Sequence, residues 1–298
     1  SEGGEAAGLV ALDAASGGRR WTAKTAPAGR GSSATGSGCG DVWGSPTVDV
    51  ERRLVFAGTG NCTSAEGWGP NSEAIMAFDL DSGAVEWTYQ PHEQNLDDLD
   101  FAGAPNLFAI DGRDVVGLGG KDGVYYAVDR ESGELVWSRE VASPGIPEPG
   151  RNYSTGGFIG ATAYVAGSDG GLVVGGTAVG GEPYLHALEA ASGEIAWQQP
   201  AAGPTYASAA EANGVVFLGG TDFTFRALDL ASGEVLWSQE MQGAVSGGAA
   251  VVGDDVIVVA GLREPGDSNP NRTAGVYRFT LDEVADDSSS TTTAPPSS

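Results

Sequence analysis

Lysine occurs only at Lys24 and Lys121 among the 15 basic residues of this chain. An arginine-rich, acidic composition accounts for the scarcity, yet it singles out Lys121, set in the turn sequence Lys-Asp-Gly. Its plain reading is a solvated turn lysine. The other residue types that carry chemistry mainly exclude functions. Two cysteines, Cys39 and Cys62, are too few for a disulfide scaffold or a four-cysteine zinc site, and no Cys-x-x-Cys-His offers a covalent haem. His92 and His186 stand far apart with no metal or triad motif around them. The glycine run at 117–120 precedes a predicted hairpin rather than a helix, which argues against a nucleotide-phosphate loop. Of seven tryptophans, five occupy one position of a repeated phrase, and Trp43 is one of the two that do not.

That repeat defines the elements. The phrases ALDAASGGRRW, AFDLDSGAVEW, AVDRESGELVW, ALEAASGEIAW and ALDLASGEVLW begin at residues 11, 77, 127, 187 and 227. Glycine after serine supplies the left-handed backbone of a tight turn, and the preceding acid and serine can bond turn amides. The β-prone arms make each phrase a hairpin. Further short strands are expected at 54–58, 114–119, 172–176, 215–219 and 255–260. A unit of about 40 residues with four short strands is a propeller blade. The five repeated tryptophans, Trp21, Trp87, Trp137, Trp197 and Trp237, then pack each blade on the next. The fold class is therefore all-β: a propeller of four-stranded antiparallel blades. About five and a half blades span residues 1–284, and 285–298 form a disordered Ser/Thr/Pro tail. The half blade at the start has no complement in the chain, so it reads as the C-terminal part of a larger ring whose first blades are missing.

Composition sets the outer limits. With 41% hydrophobic residues the chain can build a large core, and no apolar run approaches the about 20 residues that span a bilayer. A net charge of −25 repels polyanions, so nucleic acid is excluded as a partner. The chain opens at Ser1 without a signal peptide, which reads as a processed or truncated start.

The phrase resembles the tryptophan-docking motif of the quinoproteins, eight-bladed propellers that bind pyrroloquinoline quinone (PQQ). Non-enzymatic propellers share that motif, but four ordered segments narrow the resemblance to the PQQ-dependent alcohol dehydrogenases, of the polyvinyl-alcohol and methanol dehydrogenase type. These are DVWGSPTVD (41–49), VFAGTGNC (55–62), DLDFAGAP (98–105) and GGKDGVYYAVD (119–129). PQQ is a flat tricarboxylated quinone, and its site asks for an aromatic floor, a divalent cation and a base. The resemblance implies Trp43 as the floor, with Asp41 and Lys121 beside the cofactor. It implies Asn61 as an amide ligand to calcium and Asp100 as catalytic base and further ligand. It places the remaining calcium carboxylate just upstream of the first phrase, where Glu2 and Glu5 stand, with Glu5 as the candidate. Lanthanide-dependent relatives carry a second aspartate two residues after the base; here that residue is Ala102, which points to Ca2+.

The departures from the family are equally definite. The family's adjacent-cysteine disulfide is absent, and 156–163 reads GGFIGATA without the tryptophan that polyvinyl-alcohol-type relatives often carry there. Cys39 and Cys62 flank the implied site and, in an oxidising compartment, would clamp its two loops as a disulfide; two separate buried thiols are the alternative. The resemblance implies oxidation of a small or polymeric alcohol by hydride transfer to PQQ. Electrons would pass to a cytochrome c-type acceptor, in the periplasm or outside the cell. The alternative is a non-catalytic propeller serving as a binding, scaffold or sensor module.

Overall fold

The structure, a computed structural model, describes residues 8–25, 40–62, 69–95, 97–144, 156–178, 182–200, 203–261 and 273–280. Among these residues there is no helix. Strands β1 (Gly8–Leu12) and β2 (Arg19–Lys24) pair as a hairpin. Four antiparallel four-stranded sheets follow, each pairing its strands in chain order. The first comprises β3 (Thr47–Asp49), β4 (Leu54–Gly58), β5 (Ile75–Asp79) and β6 (Val85–Tyr89). The second comprises β7 (Asn106–Ile110), β8 (Arg113–Gly119), β9 (Val124–Asp129) and β10 (Leu135–Glu140). The third runs through β11 (Ala163–Val165), β12 (Leu172–Gly176), β13 (Leu185–Glu189) and β14 (Ile195–Gln199). The fourth runs through β15 (Ala210–Ala212), β16 (Val215–Gly219), β17 (Thr224–Asp229) and β18 (Val235–Glu240). A last sheet holds β19 (Ala250–Val252), β20 (Asp255–Ala260) and β21 (Gly275–Thr280). Such four-stranded meanders, packed face to face, are the blades of a β-propeller. The expected tail at 285–298 and the first seven residues lie outside the described residues.

Each repeated phrase folds as its residues dictate. The turn glycines Gly17, Gly83, Gly133, Gly193 and Gly233 all have φ between 70 and 73°. In four of the five turns an aspartate caps the serine; Asp79 Oδ1, for instance, accepts from the Ser82 amide at 2.7 Å and from its hydroxyl at 2.6 Å. Glu189 replaces that aspartate in the fourth phrase, and there the backbone bond from Gly193 N to Glu189 O closes the turn at 2.8 Å. In every phrase the opening alanine faces the tryptophan across the ladder, for example Ala77 opposite Trp87, and the register shifts beside that pair. A methyl group opposite an indole leaves the ring free to turn towards the next blade.

There it docks. The Trp21 indole N–H donates to Leu80 O at 2.9 Å, Trp87 to Arg130 O at 3.1 Å, Trp137 to Ala190 O at 3.1 Å and Trp197 to Leu230 O at 2.8 Å. The receiving turn needs glycine twice over, for its φ and for space. A Cβ on Gly83, Gly133, Gly193 or Gly233 would lie 2.4–2.7 Å from the incoming ring. Trp237, the fifth, is 40% exposed and lies 5.0 Å from the Phe279 ring of β21. A buried ion pair, Arg130 to Asp49 at 2.9 Å, adds a polar tie between the first and second of the four-stranded sheets.

One device of the stacking builds the site. The second strand of each full blade ends in glycine, and the segment entering the next blade lies on it. A Cβ on Gly58 would meet Phe101 O at 2.5 Å, one on Gly119 the Phe158 side chain at 2.3 Å, and one on Gly219 the Val245 side chain at 2.2 Å. The turn that follows β4 is thereby drawn against the segment 98–103, to which the turn after β8 is tied by a backbone bond from Lys121 N to Asp100 O.

Candidate active site

Four chain segments meet at the end of that seam: 40–44 before β3, the turn 59–61 after β4, the segment 97–103 before β7, and the turn 120–123 after β8. Backbone bonds fix their spacing. Gly60 N donates to Asp41 O at 2.8 Å, Phe101 N to Thr59 O at 3.1 Å, and Lys121 N to Asp100 O at 2.9 Å. Gly44 is required here, because a Cβ would lie 2.3 Å from Ala102 O.

Asp100 sits at the centre, 5% exposed. Its Oδ1 accepts from the Asn61 backbone N–H at 2.6 Å, and its Oδ2 accepts from Lys121 Nζ at 2.9 Å. Lys121 also donates to Asp98 Oδ2 at 3.1 Å. Far from being a solvated turn residue, Lys121 is buried, and its ammonium stands 5.1 Å from the Trp43 ring centroid. Trp43 in turn is no core tryptophan, being half exposed and presenting its indole at the mouth of the site. Partial burial and the neighbouring Asp100 charge hold the Asp41 carboxyl above the usual range.

The five residues Asp41, Trp43, Asn61, Asp100 and Lys121 thus come together as the sequence reading grouped them. Glu5 and Cys39 lie outside the described residues. Cys62 is disulfide-bonded, and its sulfur lies 2.8 Å from Ser72 Oγ. Among the described residues no three His, Cys, Asp or Glu side chains form a metal-binding group. His92 borders the site, its Nε2 3.4 Å from Asp122 Oδ2 and its ring centroid 6.5 Å from that of Phe101. His186 on β13 is buried and bonded to Thr177 Oγ1 and Gln198 Nε2, both at 2.9 Å.

Two contributors escaped the sequence reading. Asp98, two residues before Asp100, is the second anion on Lys121 and has a left-handed φ of 61°. Glu73 is fully buried and accepts from Leu99 N and Asn95 Nδ2, both at 2.8 Å. Burial raises its carboxyl above the usual range, with the charges of Asp100 and Asp98 adding to the shift. No motif announces either residue.

A flat anionic quinone and a hard divalent cation make different demands on these residues. An exposed indole face with a fixed ammonium above it suits a planar, negatively charged ring. The Asn61 side-chain amide makes no hydrogen bond among the described residues, which leaves its carbonyl available to a cation beside Asp100. The quinone fits the residues in place, and for a divalent cation the described residues supply two oxygen donors, the Asn61 carbonyl and Asp100.

Comparison with known proteins bears on the same segment. Residues 4–156 match the family model described as the β-propeller domain of glucose/ethanol/alcohol dehydrogenases. Residues 121–265 match a model described as outer membrane protein assembly factor BamB. A polyvinylalcohol dehydrogenase of a Pseudomonas species is 34% identical over 256 residues, covering 73% of this chain and 39% of that protein. One from a Sphingopyxis species is 32% identical over 228 residues, covering 63% of this chain and 33% of that protein. The chain therefore spans less than two-fifths of the length of these relatives. Among solved structures, a quinohemoprotein alcohol dehydrogenase of Pseudomonas putida superposes with a TM-score of 0.67 at 20% identity, over 85% of this chain and 52% of that one. At that identity the likeness speaks to the fold, an all-β propeller.

Proposed function

Because the chain belongs to the family of the glucose/ethanol/alcohol dehydrogenase β-propeller domain, we propose that it takes part in oxidising an alcohol, with PQQ as hydride acceptor and Ca2+ at its side. One observation carries the reading: the Asp100 carboxylate, gripped by Asn61 N and Lys121 Nζ, stands beside a half-exposed indole that the same lysine overhangs. A scaffold propeller has no use for that arrangement.

The chain's own groups divide the work. Trp43 supplies the plane on which a flat ring can lie, shielding it from water. Lys121 offsets negative charge on that ring and fixes Asp100 at the same time. Each Asp100 oxygen accepts one bond and keeps a further lone pair, so an alcohol hydroxyl can donate to it and then surrender its proton. Asn61, Asp100 and the Glu5 carboxylate would hold the cation. When bound, PQQ supplies a carbonyl carbon that accepts hydride and Ca2+ polarises that carbonyl.

The polyvinylalcohol dehydrogenases among the relatives support an alcohol substrate, small or polymeric. The quinohemoprotein name of another relative, together with the net charge of −25, supports a basic cytochrome c-type acceptor. The disulfide at Cys62, for which Cys39 is the proposed partner, supports a periplasmic or extracellular setting. The scaffold alternative has the second family model in its favour, yet Trp43, Asn61 and Asp100 all lie outside the residues that model matches.

A dye-linked assay of the intact protein with PQQ, Ca2+ and a panel of primary, secondary and polymeric alcohols tests the reading. Turnover is expected, and Asp100→Asn is expected to lower kcat by about a hundred- to ten-thousand-fold, the range for removing a general base. Absence of turnover on every alcohol, or an Asp100→Asn variant as active as the parent, contradicts it.

A further inference from the structure

We propose that Glu73 is a positioning residue that sets the orientation of the Asp100 carboxylate, an inference that rests on the dehydrogenase reading above. Glu73 touches both of the segments that hold Asp100. Its backbone N–H donates to Gly60 O at 2.9 Å, next to Asn61, whose own N–H donates to Asp100 Oδ1. Its side chain accepts from Leu99 N, next to Asp100 itself. The second carboxylate oxygen accepts from Asn95 Nδ2, and Asn95 Oδ1 accepts from Asp97 N at 2.8 Å. One residue thus braces the turn after β4 against the segment before β7.

The brace is kept at a cost that packing alone does not require. Glu73 is fully buried, and among the described residues no lysine, arginine or histidine forms an ion pair with it. A buried carboxylate without a cation must be compensated by hydrogen bonds. The backbone of Glu73 is left-handed at φ 49°, and that of Asp98, across the brace, at φ 61°. Strained non-glycine conformations persist only where surrounding contacts enforce them, and they gather at functional sites. Here the strained pair stands close to Asp100, Glu73 bonded to its neighbour Leu99 and Asp98 sharing Lys121 with it.

Glu73→Gln is the discriminating variant. Its NH2 replaces an acceptor oxygen, so either Leu99 N or Asn95 Nδ2 loses its partner. Asn95 cannot repair the loss by flipping, because its oxygen is already engaged by Asp97 N. Two readouts are taken on the intact protein: hydrogen–deuterium exchange of the peptide covering 97–101, and steady-state kinetics with PQQ and Ca2+. The variant is expected to exchange in that peptide about ten-fold faster. Its kcat is expected to fall about ten- to a hundred-fold, the penalty of misplacing a reacting group by about an ångström. KM for the alcohol and the apparent Kd for PQQ should stay within about three-fold. Asn95→Ala, which removes one arm only, should show smaller changes of the same kind, and it carries the test if Glu73→Gln does not fold.

Faster exchange with unchanged kcat would make Glu73 a structural residue and overturn the proposal. Unchanged exchange in a folded variant overturns it as well. If the parent oxidises no alcohol, the dehydrogenase reading is the one that falls, and unaltered exchange in the variants is then what removes the brace.

Discussion

A lysine that reads from its turn as solvent-exposed turns out to be buried between two carboxylates and an indole. Its rarity drew notice, but its burial depends on blade stacking that brings Asp98, Asp100 and Trp43 from other segments. Glu73 was illegible for the same reason. In NSEAIMAFD nothing local separates it from a surface glutamate leading into a strand, and its partners Asn95 and Leu99 are more than 20 residues away. His186 is a different case, buried on its strand and bonded to Thr177 and Gln198, and its burial makes a prediction. Desolvation lowers its pKa to about 4, from the usual 6.5 of an imidazole. The folded state therefore disfavours the proton that the unfolded chain takes up below 6.5. Stability from the neutral ring is full above pH 6.5 and is lost as pH falls towards 4. Each pH unit across that window is worth at most about 1.4 kcal/mol. Urea unfolding of the parent and of His186→Gln between pH 7 and 4.5 should show the parent's stability falling relative to the variant as pH drops. Parallel pH profiles would contradict this account of the burial.

At the scale of elements the sequence was most informative, because five copies of one phrase report the same physics five times. The strand starts and ends at 54–58, 172–176, 215–219 and 255–260 coincide with the expected ones, and β8 begins one residue earlier than expected. What the phrase alone could not convey is that its glycine is also a docking surface for the preceding blade's indole. Gly193 and Gly112 separate the two roles. Both have left-handed backbones, at φ 72° for Gly193 and 82° for Gly112, but a Cβ on Gly193 would lie 2.4 Å from Trp137 whereas one on Gly112 meets nothing within 4 Å. Gly112→Ala should cost about 1 kcal/mol, from backbone strain alone. Gly193→Ala should cost about 2–4 kcal/mol, since the ring must also shift in a packed interface. Denaturant titration of the two variants decides the matter, and equal losses would contradict the docking role.

For the whole molecule, the site lies on the seam between two consecutive blades and belongs to neither. That location explains how much of it could be read beforehand. Periodicity located the blades; residue types at their ends, set beside a family pattern, located Trp43, Asn61, Asp100 and Lys121. Asp98 and Glu73 emerged only from the packing of one blade on the next. The chain carries 40 acidic against 15 basic residues, and the site's central cation, Lys121, is itself buried. A field of that sign favours encounter with a basic protein.

The central claim is that this seam binds a flat anionic quinone on Trp43 under Lys121. Its most direct test is titration of the intact protein with PQQ in the presence of Ca2+, following tryptophan fluorescence. Saturable quenching is expected, with the apparent affinity weakened at least about ten-fold in Trp43→Ala and in Lys121→Ala, the equivalent of about 1.4 kcal/mol. A folded parent that shows no saturable quenching, or a Trp43→Ala variant that titrates like the parent, would contradict it.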